Sequence, residues 1–258
     1  MKYLSDVSIL GCGWLGEPLA HQLSSQGYFI KGATTSESKL ARLSAAGISP
    51  FLINLESLSS NVSAFLNAEL LIVNLPSKYV EGYKKLIAQI EKSSVKKVVF
   101  VSSTSVYENA IGVIMEDAPL KSSPLVEIEK LFKGNTQFKT SIIRFGGLFG
   151  YDRKPGNFVG QGKRIENPEG YVNMIHRDDC ISIISQIIEK ELWQQTLNAC
   201  ADSHPKRREF YTRALLSLGL PLPEFNENTT SGYKLISSKK LKTMLDYEFI
   251  YPNLLDMV

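Results

Sequence analysis

Gly11-Cys12-Gly13-Trp14-Leu15-Gly16 decides the fold of this chain. The stretch has the G-x-G-x-x-G spacing and follows a short apolar strand, Val7-Ser8-Ile9-Leu10. A helical run to Gln26 comes after it, then a second strand, Tyr28-Phe29-Ile30-Lys31-Gly32-Ala33. Between a strand and a helix, this spacing marks a dinucleotide phosphate site. Gly11 permits the tight turn, Gly13 lets the backbone approach a pyrophosphate, and Gly16 lets helix and strand pack closely. The helix start offers free N–H groups and a positive dipole end to the phosphates. The competing reading is a merely structural glycine turn. The flanking strands favour the phosphate site.

Outward from the motif, strands and helices alternate. Residues 37–46 read as a helix ending at Gly47, and Phe51-Leu52-Ile53-Asn54 as a third strand. Leu70-Leu71-Ile72-Val73-Asn74-Leu75 is a fourth, stopped by Pro76, and its unbroken apolar run suits burial on both faces. A helical pattern covers 77–93, and Lys97-Val98-Val99-Phe100-Val101-Ser102 is a fifth strand. Pro124 opens a helix that Gly134 ends, and Thr140-Ser141-Ile142-Ile143-Arg144-Phe145 is a sixth strand. This order predicts an α/β, Rossmann-like doubly wound parallel sheet over residues 1–145. Residues 146–258 read as a smaller C-terminal, substrate-side lobe. Its start, 146–170, is a long glycine-rich loop, and long loops in compact enzymes are often functional. Elements over about 171–200 return to the Rossmann core: a strand at Val172-Asn173-Met174-Ile175, a helix at 178–190 and a strand at Thr196-Leu197-Asn198-Ala199. Helices near 206–218 and 238–245 complete the tail.

Composition narrows the function classes. The 258 residues carry 29 basic and 26 acidic side chains, a net charge of +3, which argues against a nucleic-acid partner. No run of about 18 apolar residues exists to span a membrane. The N-terminus has no signal-peptide pattern. Three widely spaced cysteines, Cys12, Cys180 and Cys200, read as reduced thiols in a cytoplasmic protein. Cys12 reads as a small residue that fits its loop rather than as a redox group. No His, Cys or Glu cluster has metal-ligand spacing.

Several stretches at ordered intervals carry a family resemblance: Gly11 to Gly16, Asn74-Leu75-Pro76, Val101-Ser102-Ser103-Thr104-Ser105-Val106-Tyr107, Arg144-Phe145-Gly146-Gly147-Leu148-Phe149-Gly150, Ile175-His176-Arg177-Asp178-Asp179 and Tyr233-Lys234-Leu235-Ile236-Ser237. Together they cover nearly the whole chain. The chain resembles the extended short-chain dehydrogenase/reductases, the NAD-dependent epimerase/dehydratase proteins. Within them it resembles an atypical subgroup whose loop reads GCGWLG. The resemblance implies an NAD(P) cofactor held by Gly11, Gly13, Trp14, Leu15 and Gly16, with Leu75, Pro76 and Ser102. It implies a small-molecule substrate, sugar-derived or anionic, and leaves a homodimer open.

In that family an acidic residue at the end of the second strand binds the NAD ribose. Here the place holds Thr34-Thr35-Ser36, which with Lys39 suits a 2′-phosphate and favours NADP. Relatives often carry Arg in place of Ser36. Glu37 competes as a ribose ligand, or serves as a first-turn helix acid.

The resemblance assigns Ser103 to the reacting oxygen, four residues before Tyr107. A hydroxyl can donate to a carbonyl or accept from an alcohol. The bland alternative is that residues 102–105 satisfy backbone groups at a strand end. The family's Tyr-x-x-x-Lys pair needs helical spacing to share a face. Aligned on Glu129, its places fall on Lys121 and Leu125, and no Tyr occurs between Tyr107 and Tyr151. The usual acid/base machinery is absent. Tyr107 and His176 are the candidate replacements, against packing roles for both. Arg144 and Arg153 are candidates for an anionic substrate, since guanidinium forks pair with phosphate or carboxylate. Asp179 reads as a helix-start residue. Two functions follow: an NAD(P)-dependent oxidoreductase or epimerase-like enzyme, or a non-catalytic cofactor-binding sensor.

Overall fold

The computed structural model describes residues 5–58, 61–109, 111–159, 164–229 and 232–258. Residues 160–163 of the glycine-rich loop lie outside them. The elements run β1 (Asp6–Leu10), α1 (Gly16–Ser25), β2 (Phe29–Thr34), α2 (Leu40–Ala45), β3 (Ser49–Leu52), α3 (Val62–Phe65), β4 (Leu70–Val73), α4 (Val80–Ile90), β5 (Lys97–Ser103), β6 (Gly112–Ile114), α5 (Pro124–Lys133), β7 (Lys139–Phe145), β8 (Gly147–Phe149), β9 (Ile165–Glu166), β10 (Met174–His176), α6 (Arg177–Glu189), β11 (Thr196–Ala199), α7 (Arg207–Leu216), β12 (Phe225–Asn226), β13 (Lys234–Ile236) and α8 (Lys239–Leu245).

Seven strands form one sheet in the order β11-β7-β5-β4-β1-β2-β3. β1 pairs in parallel with both β2 and β4, β2 with β3, and β4 with β5. The winding direction reverses between β1 and β4. Doubly wound sheets leave a ligand crevice there, beyond the strand C-termini.

The third strand, expected at Phe51–Asn54, runs over Ser49–Leu52 instead. Pro50 is tolerated within it because β3 is an edge strand, with no neighbour on its outer side to need an N–H. The strand expected at Val172–Ile175 is β10, Met174–His176, paired in parallel with β8. Val172 falls outside that ladder because its N–H goes to the Pro205 carbonyl at 2.9 Å. The helix expected at 37–46 begins as a short 3-10 turn, Glu37–Lys39, before α2. β11 does return to the sheet, at its edge.

Two compact units divide the chain. The first comprises residues 1–102, 121–143 and 184–196, the second 103–120, 144–183 and 197–258. In the first unit, alternate residues Leu71, Val73, Val98 and Phe100 share a sheet face and pack against α3, α4 and α5 through Phe65, Tyr83, Leu86 and Phe132. The second unit has its own cluster of Phe149, Val172, Met174, Phe210 and Leu254. No helix among the described residues is long and apolar enough to cross a membrane.

Tyr83 is the anomaly of the first core. Its ring packs edge-on to Phe100 and Phe132, with centroids 6.1 and 6.0 Å away. Its hydroxyl is fully buried with no hydrogen-bond partner among the described residues. Leaving a buried hydroxyl unpaired costs about 1–3 kcal/mol. Tyr83→Phe is therefore expected to be neutral or to raise stability by about 1 kcal/mol, read from the urea unfolding midpoint. A clear loss of stability would show that the hydroxyl is satisfied in solution.

Candidate functional site

The glycine loop follows β1 and is held from two sides. The N–H groups of Gly11 and Cys12 both donate to the Ala33 carbonyl, at 3.3 and 2.8 Å, which staples the loop to β2. Asn74, just past β4, donates from Nδ2 to the Gly11 carbonyl at 3.2 Å. Gly11 has φ +108, and an added Cβ there would overlap the Asn74 carbonyl oxygen. A Cβ on Gly16 would overlap the Gly11 carbonyl oxygen. Only glycine fits at both. Gly13 differs: a Cβ there would meet nothing within 4 Å. The two outer glycines close the turn, and the middle one leaves its approach open.

Helix α1 starts immediately after this loop. Its N-cap, Leu15, is buried and makes no side-chain cap bond. A helix start without a polar cap suits an anion. Trp14 is partly buried beside it. Cys12 is buried, and burial, with Glu17 adding to it, pushes its thiol up to about 12. Such a thiol is inert, in keeping with a space-filling role. Leu75 packs against the core, and Pro76 follows it.

At the end of β2, Thr34 is 9% exposed, and its Oγ1 accepts the Ser36 N–H at 3.2 Å. Ser36 Oγ and Ser38 Oγ lie 2.8 Å apart. Thr35 and Glu37 are exposed, and Lys39 is half-buried. The Ala33 staple brings this hydroxyl-rich turn next to the glycine loop.

Ser102 and Ser103 end β5. Ser102 is buried and donates to the Glu129 carboxylate, itself buried on α5. Ser103 is half-buried, and its Oγ accepts the Ser105 N–H at 3.1 Å. That bond uses a lone pair and leaves the hydroxyl proton to be donated. Helix α5 begins at Pro124, capped by the Ser123 side chain. Lys121 therefore precedes the helix, and Leu125 packs against the core. Of the two places aligned with the family's pair, 121 lies before the helix and 125 within its first turn.

In the second unit the structure brings Tyr107 and Arg144 together. Tyr107 is 1% exposed and donates from Oη to Asn198 Oδ1 at 2.6 Å. Arg144, 4% exposed, donates from Nη1 to Tyr107 Oη at 2.8 Å and to the Glu116 carbonyl at 3.1 Å. Glu116 Oε1 accepts the Asn198 N–H at 2.8 Å. Burial pushes the Tyr107 phenol up, against the pull of Arg144. The Tyr107 hydroxyl and the Arg144 Nη1 both take part in this internal network.

His176 ends β10 and is also buried. Its ring centre lies 4.0 Å from that of Tyr251 with the planes tilted by 53°, and its Nδ1 accepts the Asp178 N–H at 3.3 Å. Burial lowers its pKa, against the nearby Asp178 and Asp179 carboxylates. Arg153 is exposed, its backbone bridged to Gly150 and its guanidinium 5.7 Å from the Phe158 ring centre. Asp179, read as a helix-start residue, is fully buried and does more than that. Its Oδ1 accepts from Tyr247 Oη at 2.8 Å and the Ile250 N–H at 2.7 Å, and its Oδ2 from the Tyr251 N–H at 3.2 Å.

Four partners escaped the reading of the sequence: Asn74 as the clasp on Gly11, Glu129 under Ser102, and Asn198 and Glu116 around Tyr107. A signal existed for two of them. Asn74 ends an all-apolar strand, and Asn198 interrupts a buried one. A polar side chain in such a place needs a partner.

No protein-family model matches the chain. It is 30% identical over 272 residues to Protein YeeZ of Escherichia coli (strain K12), covering 98% of this chain and 99% of that protein. Among solved structures, a short-chain dehydrogenase/reductase superfamily protein from Agrobacterium tumefaciens, with bound NAD, aligns at TM-score 0.75 and 18% identity, over 97% of this chain and 95% of that one. UDP-glucuronic acid 4-epimerase from Bacillus cereus, in complex with UDP-glucuronic acid and NAD, aligns at TM-score 0.79 and 14% identity, over 97% and 96%. The chain therefore belongs to one family with Protein YeeZ and shares the fold of the short-chain dehydrogenase/reductase and epimerase structures it aligns with.

Proposed function

We propose that the chain is an NAD(P)-dependent oxidoreductase or epimerase-like enzyme acting on a small molecule, without the Tyr-x-x-x-Lys pair. The observation that carries this is the glycine loop. Gly11 and Gly16 are jammed against Asn74 and each other, Gly13 faces open space, and α1 starts without a side-chain cap. That cradle fits a pyrophosphate. Gly11, Gly13, Trp14, Leu15 and Gly16 hold it in this reading, with Leu75, Pro76 and Ser102 beside the rest of the dinucleotide. The bound nicotinamide supplies hydride exchange. Ser103 holds the reacting oxygen through its free hydroxyl proton. Tyr107 and Arg144 serve as framework, a reading supported by the bonds of the Tyr107 hydroxyl to Asn198 and of Arg144 Nη1 to Tyr107 and Glu116.

NADP is the cofactor this reading favours. Residues 34–36 offer hydroxyls and no carboxylate, and Lys39 supplies a cation. The NAD in the two aligned structures is what those proteins bind. Calorimetric titration is expected to show NADPH binding more tightly than NADH at low salt. The gap is expected to shrink as salt rises, because a charged contact near the surface is screened. Equal or reversed affinities would assign the ribose to Glu37 and the cofactor to NAD.

One observation favours a second reading, a cofactor-binding sensor that turns nothing over. The place aligned with the family's Tyr holds Lys121, which lies before α5 starts, and the place aligned with its Lys holds Leu125, which packs against the core. Hydride exchange with a metabolite panel, followed at the nicotinamide absorbance, separates the two. Tight NADPH binding with no oxidising substrate, and partner binding that changes with cofactor, would favour the sensor.

A further inference from the structure

We propose that the second unit binds a small zwitterion, with an ammonium, a carboxylate and an apolar side chain, in a cavity walled by the loop 149–156, α7 and the segment 256–258. The cavity has a volume of about 350 Å3. That falls within the range of small-molecule sites. Its charges are mixed and unspent. Lys154 and Asp256 both line it, and neither forms an ion pair within 4 Å among the described residues. A plain anion entering here would meet Asp256, and a plain cation would meet Lys154. A ligand carrying both charges is matched by both.

A third polar group is buried in the wall. The His176 side chain is 5% exposed. Its Nδ1 accepts the Asp178 N–H, which puts the proton of the neutral ring on Nε2. Nε2 lies against Gly150, another lining residue, where an added Cβ would overlap it. A lining residue of the cavity therefore carries an N–H donor that a ligand carboxylate could take. Phe149, Leu218 and Met257 supply the apolar surface.

The wall is held before any ligand arrives. Tyr151 sits in the left-handed region at φ 57, its hydroxyl donates to Asp178 at 2.9 Å, and the Arg177 guanidinium lies 3.9 Å from its ring centre. Gly156 packs so closely on the Ala214 carbonyl that a Cβ would not fit. A pre-shaped wall saves the entropy of ordering it on binding. Every lining residue belongs to the second unit, so the proposal does not depend on the dinucleotide reading.

The test is calorimetric titration of the full chain with L-phenylalanine, L-leucine and L-methionine. Two analogues of phenylalanine serve as controls: 3-phenylpropionate, which lacks the ammonium, and phenethylamine, which lacks the carboxylate. At least one amino acid is expected to bind, and the phenylalanine analogues about tenfold more weakly than phenylalanine, each having lost one charge-assisted contact. Lys154→Ala and Asp256→Asn change exposed side chains, and each is expected to weaken amino-acid binding by about tenfold. NADPH affinity is expected to stay unchanged in both variants. No binding of any of the three at millimolar concentration, analogues that bind as tightly as phenylalanine, or variants that bind like the unaltered chain would each overturn the proposal. Amino-acid binding that persists in a chain with no affinity for NADPH would instead sink the dinucleotide reading alone.

Discussion

Gly13→Val is expected to abolish binding of both NADPH and NADH while leaving a folded chain. A Cβ at residue 13 meets nothing within 4 Å, so the fold is expected to tolerate a side chain there. The same space is the approach of the pyrophosphate in the proposed function. Charge-assisted hydrogen bonds are worth about 1.5–3 kcal/mol each, so losing a few lowers affinity on the order of a hundredfold or more. Gly16→Ala gives the contrast. Its Cβ would overlap the Gly11 carbonyl oxygen, a backbone atom that Asn74 holds in place. Overpacking of this kind costs about 1–3 kcal/mol, so Gly16→Ala is expected to lower the unfolding midpoint as well as binding. Calorimetric titration and thermal unfolding of both variants separate the effects. A Gly13→Val chain that binds both cofactors at full affinity would remove the premise of the functional reading.

Ser103→Ala is expected to leave NADPH affinity nearly intact and to slow turnover on the order of a hundredfold or more, the usual cost of one hydrogen-bond donor to a reacting oxygen. Tyr107→Phe is expected to behave differently. Deleting its hydroxyl strips a partner from Asn198 Oδ1 and from Arg144 Nη1, both buried. Leaving such groups short costs about 1–3 kcal/mol of stability. The Tyr107 variant should therefore melt earlier and, while folded, turn over like the unaltered enzyme. A substrate must first emerge from the metabolite screen. Full activity in the Ser103 variant, or a large loss of turnover in a well-folded Tyr107 variant, would mean the chemistry lies elsewhere, and His176 would be the next residue to remove.

The sheet was legible because its signals are local. Gly11 to Gly16, the apolar run before Pro76 and the Pro124 helix start each announce an element within a few residues. The strand at 49–52 was misplaced because Pro50 argues against a strand, and only its place at the sheet edge removes the objection. The small ribbons β6–β13 and β9–β12 were not anticipated. Each joins short segments far apart in the chain, with no turn between them to betray the pairing. The site was legible where its residues touch a backbone motif, at Gly11, Gly13 and Gly16. It was opaque where side chains answer one another across long separations. Arg144 reads in the sequence as a candidate anion-binding fork, and nothing near it in the chain announces the bonds its Nη1 makes to Tyr107 and Glu116. No spacing rule links residues 107, 116, 144 and 198.

The Asp179 clasp bears on how the chain folds as it is made. Its donors, Tyr247, Ile250 and Tyr251, come 68 to 72 residues later. Chains emerge from the ribosome N-terminus first, at about 5–20 residues per second. For several seconds, then, α6 exists without the only groups seen to satisfy that carboxylate among the described residues. A carboxylate cannot be buried unpaired at small cost. Through that interval Asp179 is expected to stay hydrated or to take up a proton, and packing around α6 to stay incomplete until residue 251 is made. The nascent second unit is thus expected to be open and protease-sensitive around α6 until then. A ribosome stalled before residue 247 would display it as such, whatever the state of the strands already made.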